Sequence, residues 1–525
     1  MTKIDERSMQ RKKTGAKESK EVDPKVYKKR WAILVSLCIA LLAVMLANSS
    51  LNMALPAMSK DLHLSQLDLT WVVNIYTLVF ASLLFIAGAI GDRYGRKKVM
   101  QAGLVVFTLG SVYAAFMAAT GNQLIGARII MGIGAAFVMP TTLSIINTTF
   151  PKNERARAIA IWGAVSGVGM MLGSIMSGIL LEHFTWHSLF VFSGIIAVAG
   201  LIINQIITVE SYDEAKTPVD WLGGLLSAIG IFTIVYGITE APSSGWGSSV
   251  VLLNIGFVLL FLLAFVLVEL KRKQPMLDVR LFKHRSFSIS SIILILTFLA
   301  MSGVMFSMSQ LMQLIVGFTP LQAAFATIPI MLPMAFFGPI VPFIVRKIGA
   351  RLTITTGLSL VTIAFLFMAS WSSDVTYLQL LLVGGLMMLG ISISMTPTTN
   401  ILMASVPRNR SGMGSAMNDV TRQLGSALGV AVLGATLSAT YTSEVASIAN
   451  QFSGKIQSGI ESSLAVALEI SDHLGPMGNS VAEAAKLAWM DGLVAACTLG
   501  AVILAISAIV AFVGLPKHVK GDKDA

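Results

Sequence analysis

Charged side chains are scarce along most of this chain, and Arg128, Asp419 and Arg422 fall inside long apolar runs. A carboxylate surrounded by hydrocarbon is costly when ionised, so it either pairs with a cation or takes up a proton. In Asn418-Asp-Val-Thr-Arg422-Gln-Leu-Gly425 the acid and the base stand three residues apart, on one face of a helix and within pairing reach. Two chemistries fit that spacing. Asp419 carries or relays a proton if Arg422 releases it, and forms a static salt bridge if Arg422 does not. Arg128, in Leu124-Ile-Gly-Ala-Arg128, is expected to face a polar cavity; the alternative is a guanidinium that reaches the water interface from near its helix start.

Other chemistries find no support. The six histidines (63, 183, 187, 284, 473 and 518) sit at or beyond the ends of apolar runs, so neither a proton relay nor a metal site of histidines is expected. There is no nucleophile–base pairing and no Gly-x-x-x-x-Gly-Lys-Ser/Thr loop, which argues against an enzyme, a bound cofactor and nucleotide-driven work. Cys38 and Cys497 lie within apolar runs and read as small packing residues.

The elements that must position these residues are membrane helices. Of the 525 residues 55% are hydrophobic and 12% charged, and the apolar residues come in blocks of about 20, the length that crosses a bilayer. Fourteen spans are read between residues 31 and 514, among them 122–147, 156–180, 322–344, 351–371, 412–440 and 485–514. The net charge of +11 is topological: eleven of the 38 Lys and Arg residues precede Trp31, and most others fall in alternate short loops. That pattern puts both termini in the cytoplasm and excludes a nucleic-acid groove. The expected organisation is a basic tail (1–30), six spans (31–208), two further spans with a linker (209–286), six more spans (287–514) and a short tail (515–525). Segment 441–486 lies outside, with apolar residues at helical spacing, and is expected to form an amphipathic hairpin over the outer mouth, the alternative being a loosely ordered loop.

Two glycine patterns add to this frame. Gly88-Ala-Ile-Gly-Asp-Arg-Tyr-Gly-Arg-Lys-Lys-Val-Met100 joins two spans by a tight turn. Gly88, Gly91 and Gly95 allow close approach and a sharp reversal; Asp92 is expected at a helix N-terminus, with Arg93, Arg96, Lys97 and Lys98 holding the turn in the cytoplasm. A weak echo, Gly338 to Arg351, suggests two repeated halves. In the fifth span Gly163, Gly167, Gly169, Gly173 and Gly178 form small-residue faces suited to close helix packing.

The Gly88–Met100 loop, the Arg128 helix and the glycine-rich fifth span, in that order, resemble motifs A, B and C of the drug/proton antiporters of the major facilitator superfamily. Asn52-Met-Ala-Leu-Pro56, Trp71-Val-Val-Asn-Ile-Tyr76 and Gly412 to Gly434 extend the likeness, and the span count is similar to the fourteen-helix QacA/EmrB-type subfamily. The resemblance implies an all-α membrane protein of two pseudo-symmetric six-helix halves with two extra central helices. It implies an exporter of amphipathic compounds driven by protons and alternating access, in a bacterial cell membrane, and a monomer is expected. In that reading Gly88, Gly91, Asp92, Arg93, Gly95 and Arg96 gate the conformational change. Arg128, Asp419 and Arg422 couple it to protons, and Gly163, Gly167, Gly173 and Gly178 form the antiporter-motif helix. Asn48, Asn52, Asn74, Tyr76 and Gln313 are candidate cavity residues, interhelical hydrogen bonding being the plainer role. The chain departs from the pattern where exporters of cations carry Asp, here Ala47 and Asn74, and where motif C has Gly-Pro, here Gly173-Ser174. Those departures favour an alternative, an exporter or flippase of a neutral or anionic lipid or metabolite; a non-transporting membrane sensor is a remote third reading.

Overall fold

The computed structural model describes residues 24–212, 220–245, 248–272, 279–406 and 411–516, apart from the side chains of residues 24 and 25, of Phe85, of 242–244, of 411–416 and of several positions between 152 and 170. It is all helical. Six long helices come first: α1 (Pro24–Leu62), α2 (Gln66–Tyr94), α3 (Arg96–Phe116), α4 (Gly121–Thr149), α5 (Lys152–His183) and α6 (His187–Ile207). Two follow, α7 (Trp221–Ser244) and α8 (Ser249–Lys271), packed on each other. The rest are α9 (Arg285–Gln310), α10 (Pro320–Phe337), α11 (Val341–Met368), α12 (Tyr377–Ala404), α13 (Ser411–Ala449), the short α14 (Lys455–Ser462) and α15 (Leu464–His473), and α16 (Gly478–Gly514).

Among the described residues, twelve helical stretches are long and apolar enough to cross a membrane, so the expected count of fourteen spans is not supported. The expected spans 322–344 and 351–371 fall within one apolar stretch, Pro320–Met368, broken at Gly349, and several side chains of the expected span 156–180 lie outside the described residues. The last residues of the expected tail overlap the first helix. Residues 24–30 are already helical, with Pro24 at the start, where a missing N–H costs nothing. Segment 441–486 is mostly helix: α13 continues to Ala449, and α14 and α15 turn their apolar faces inward through Ile460, Leu464 and Val466. The Tyr441 hydroxyl donates to the Ile460 carbonyl at 2.7 Å, fastening this cap to α13, and the hydroxyls of Ser59 and Ser463 meet at 3.0 Å, fastening it to α1.

Glycines repeat the same crossings in both parts of the chain. Gly95 (φ +114°) breaks the chain between α2 and α3, and Gly349 (φ +81°) breaks α11 near its start. Eight residues after each break, Gly103 packs on Gly134 of α4 and Gly357 on Gly390 of α12; a Cβ on either would lie 2.8 or 2.7 Å from the facing carbonyl. In α5, Gly169 and Gly173 lie against α1 at Met45 and Leu46; in α13, Gly425 and Gly429 lie against α9 at Ile295 and Leu299. Gly178 then meets α10, and Gly434 meets Thr70 of α2. The shared spacing (169, 173, 178 and 425, 429, 434) shows two structurally repeated halves that cross reciprocally through α5–α10 and α2–α13. The pair α7–α8 stands between them, α7 touching both α2 and α13.

Two outcomes follow from this packing. Gly173→Leu drives a side chain into Ser49 and the Leu46 backbone and is expected to lower stability by about 1–3 kcal/mol, while Gly163→Ala, with open space around it, leaves it unchanged. Thermal denaturation of the purified protein reads both. At the terminal end of the bundle, Arg30 Nε bonds Glu154 Oε2 at 2.6 Å and holds that carboxyl below its usual range. A depressed carboxylate stabilises above its ordinary pKa and stops doing so as pH falls through the acid range. Hydrogen-exchange protection in residues 24–30, referred to the intrinsic rate at each pH, should therefore fall between about pH 7 and pH 3, and Glu154→Gln should remove that dependence.

Candidate functional site

Motif A closes through a contact network that its own residues only partly supply. Asp92 is not at a helix N-terminus, as expected, but in the last turn of α2, where a carboxylate meets the negative end of the helix dipole. It is offset there by Arg96 Nε at 2.8 Å and by the Ser144 hydroxyl of α4 at 3.0 Å. Gly91 is required beside this contact, because a Cβ would lie 2.7 Å from Thr141 Cγ2; Gly88 has ordinary room beside Pro140. Arg93 is exposed, its guanidinium 5.7 Å from the Tyr94 ring centroid.

The N-terminus of α3 is capped instead by Glu210, which sequence reasoning missed. Its carboxylate accepts the backbone N–H of Lys97 at 2.9 Å and of Lys98 at 3.2 Å, and the Arg96 N–H donates to the Ser211 carbonyl at 3.0 Å. A Cβ at position 95 would meet this carboxylate at 2.9 Å, a second reason for Gly95. Lys97 Nζ donates to the Gln205 carbonyl, completing the seam between α3 and the end of α6. Asp220, from the same acidic stretch, caps α7 through the Gly223 N–H. Acids count little in the loop-charge rule that sets topology, so that stretch carried no signal there; Asp213 and Glu214 lie outside the described residues.

Arg128 neither snorkels nor lines an open cavity. It is 0% exposed, with Nε on the Val72 carbonyl, Nη1 on the Ala47 carbonyl, and the guanidinium 4.1 Å from the centre of the Tyr76 ring. Tyr76 is buried too, its hydroxyl donating to the Val44 carbonyl, so this cavity candidate is a structural prop for Arg128. Among the described residues no carboxylate lies within ion-pair distance of Arg128.

Asp419 and Arg422 do not form the ion pair that their spacing allows. No salt bridge joins them among the described residues, and the Arg422 guanidinium sits 4.8 Å from the centre of the Phe298 ring of α9. No described contact brings Arg128 and Asp419 together.

The polar candidates divide. Asn74 is fully buried, and both of its amide atoms lack a partner. Asn48 is half-buried. The Asn52 carbonyl accepts from the Ser309 hydroxyl of α9, and Gln313 Nε2 donates to the Met53 carbonyl at 3.0 Å. These two bonds and Ser59–Ser463 are the described hydrogen bonds between the halves, and all lie at the end remote from Pro24 and Gly514. Of the motif C glycines, Gly173 and Gly178 make close crossings, Gly163 makes none, and the surroundings of Gly167 lie outside the described residues. One acid was overlooked: Glu240, at the end of α7, accepts from Trp71 Nε1 of α2 at 2.8 Å. Its signal was an acid closing an apolar run.

The Glu210 cap is testable. Glu210→Ala removes two N–H acceptors at a helix N-terminus, worth about 1–2 kcal/mol, and should slow transport several-fold without reducing membrane insertion. Glu210→Gln, which keeps one acceptor oxygen, should fall between; full activity of Glu210→Ala would remove the cap from the gating machinery.

Comparison with known proteins supports the same architecture. The chain is 32% identical over 400 residues to the multidrug efflux pump LfrA of Mycolicibacterium smegmatis, covering 76% of this chain and 79% of that protein. It is 30% identical over 402 residues to the riboflavin transporter RibZ of Clostridioides difficile, covering 76% and 87%. The fold matches the crystal structure of a bacterial homologue of the human lysosomal transporter Spinster, in an inward-facing and occupied conformation, with a TM-score of 0.68 at 16% identity over 94% of this chain and 98% of that one. Residues 37–430 match the family model of the Major Facilitator Superfamily, to which the chain belongs.

Proposed function

We propose that this transporter is a proton-coupled exporter of amphipathic compounds that works by alternating access. The observation that carries the reading is the pair of reciprocal crossings, α5–α10 and α2–α13, between two repeated halves whose hydrogen bonds among the described residues lie at the end remote from Pro24. Halves joined in this way can rock about a route between them. The Asp92–Arg96–Ser144 contact and the Glu210 cap then act at the other end, holding α2, α3, α4 and the exit of α6 as one body while the halves move.

Likeness to a named multidrug efflux pump supports export of drugs, and the α7–α8 pair between the repeats supports a relationship to QacA/EmrB-type antiporters. Basic loops on the side of Pro24 and Gly514 support cytoplasmic termini. Asp419 carries the proton: with Arg422 turned to Phe298, no described ion pair holds the acid permanently charged. Arg128, fixed to carbonyls of α1 and α2, transmits the change within the first half.

Proteoliposomes containing the purified chain and a fluorescent amphipathic dye test this reading. An imposed proton gradient should drive dye uptake into inverted vesicles with matching proton efflux. Asp419→Asn should lower gradient-driven transport at least tenfold while retaining dye binding and downhill exchange. Gradient-driven transport at the wild-type rate in Asp419→Asn would remove that residue from coupling, and dye movement without proton flux would remove coupling altogether.

A further inference from the structure

The seam where the halves meet carries carboxamides and no described carboxylate. Gln66, Thr70 and Asn74 follow one another at one-turn spacing along α2, and Thr70 faces Gly434 of α13 with Phe306 of α9 beside it. Gln310 stands one turn from Phe306 and directly after Ser309, whose hydroxyl donates to the Asn52 carbonyl of α1. Asn74, Gln66 and Gln310 are 0, 1 and 2% exposed. Both amide atoms of Gln66 and Asn74, Nε2 of Gln310 and Oδ1 of Asn52 have no hydrogen-bond partner among the described residues, and neither does Nη2 of Arg128. Buried polar groups are ordinarily paired, so a run of unpaired ones along a single interface marks groups kept for something other than folding.

We propose that this carboxamide seam is the recognition element of the route, and that it selects uncharged aromatic molecules bearing amide, carbonyl or hydroxyl groups over permanent organic cations. The proposal rests on the export reading above. A carboxamide donates and accepts at once, which suits the edges of neutral amides and alcohols. A permanent cation entering the same seam sheds its water and meets no carboxylate. The positive charge of Arg128, hydrogen-bonded to the Val72 carbonyl of the helix that carries Asn74, adds a repulsion across that helix. Acids on the neighbouring helices serve elsewhere, and Asp68 of α2 accepts from the Ser65 N–H and hydroxyl at the helix start. Asp419 lies fifteen residues before Gly434, about 22 Å along α13, and Glu240 is held on the α7 side of α2 by Trp71.

Equilibrium dialysis of the purified full-length chain against chloramphenicol, a neutral amide, and tetraphenylphosphonium, a permanent cation, tests the seam. The wild type should bind chloramphenicol at least tenfold more tightly. Asn74→Leu and Gln310→Leu should each weaken chloramphenicol at least tenfold, since each strips a hydrogen-bonding group from the seam. Asn74→Asp, nearly isosteric and checked for folding by gel filtration, should strengthen tetraphenylphosphonium binding at least tenfold. Tighter binding of the cation by the wild type, no binding of either probe, or an unchanged chloramphenicol affinity in both Leu variants overturns the inference. If the Leu variants do not fold, an unchanged cation affinity in Asn74→Asp overturns it alone. Proteoliposomes separate this result from the export reading. Selective binding of chloramphenicol with no gradient-driven movement sinks export and leaves the seam, whereas gradient-driven movement of the cation in preference sinks the seam and leaves export.

Discussion

Close backbone approach at glycine governs this structure. Between lipid-facing helices there is little hydrophobic gain in association, so the helices are held by packing and by the few hydrogen bonds they share. Gly103 on Gly134, Gly357 on Gly390 and Gly429 on Leu299 are crossings in which any side chain would overlap a facing backbone, and at Gly173 it would overlap Ser49. Everything else is arranged around them. They set the pairing of helices within each half, and Gly178 and Gly434 extend the same device to the contact between halves.

A second consequence of lipid burial is that polar groups must find partners inside the protein. The α1–α6 contact meets this fully: Asn204 donates to the Ser36 and Gly200 carbonyls, and the Ser36 and Thr208 hydroxyls complete the group. Arg128 meets it in part, through two carbonyls and the Tyr76 ring. The amides of Gln66, Asn74 and Gln310 do not meet it among the described residues. Unpaired buried atoms also occur within the second half, at Ser290, Trp489 and Ser507, but there as single groups.

The gating loop shows how a local motif depends on distant chain. Its glycines and charges are contiguous in sequence, yet α3 begins where it does because Glu210, more than a hundred residues away, accepts its first free N–H groups. Asp92 is tolerated at the unfavourable end of α2 because Ser144 and Arg96 reach it. The loop is therefore a junction of α2, α3, α4 and the segment after α6, which is what a part must be if it is to hold several helices together during a rigid-body movement.

By itself the sequence determined that this is a helical membrane protein with a basic, glycine-rich junction after its second span, because apolar length, loop charge and glycine spacing are local properties. Set beside the family that it resembles, it also disclosed Ala47 and Asn74 where exporters of cations carry Asp, since side-chain type needs no fold to be read. Only the tertiary structure decided what those residues face. The i,i+3 spacing of Asp419 and Arg422 permitted a salt bridge, but Phe298 of another helix took the guanidinium. The position of Arg128 near a helix start permitted snorkelling, but α1 and α2 close over it. Glu210 was one acid among several in a loop until α3 was brought to it. In each case pattern restricts a residue to a face of its own helix, and the partner comes from elsewhere in the chain, at distances that no local spacing encodes.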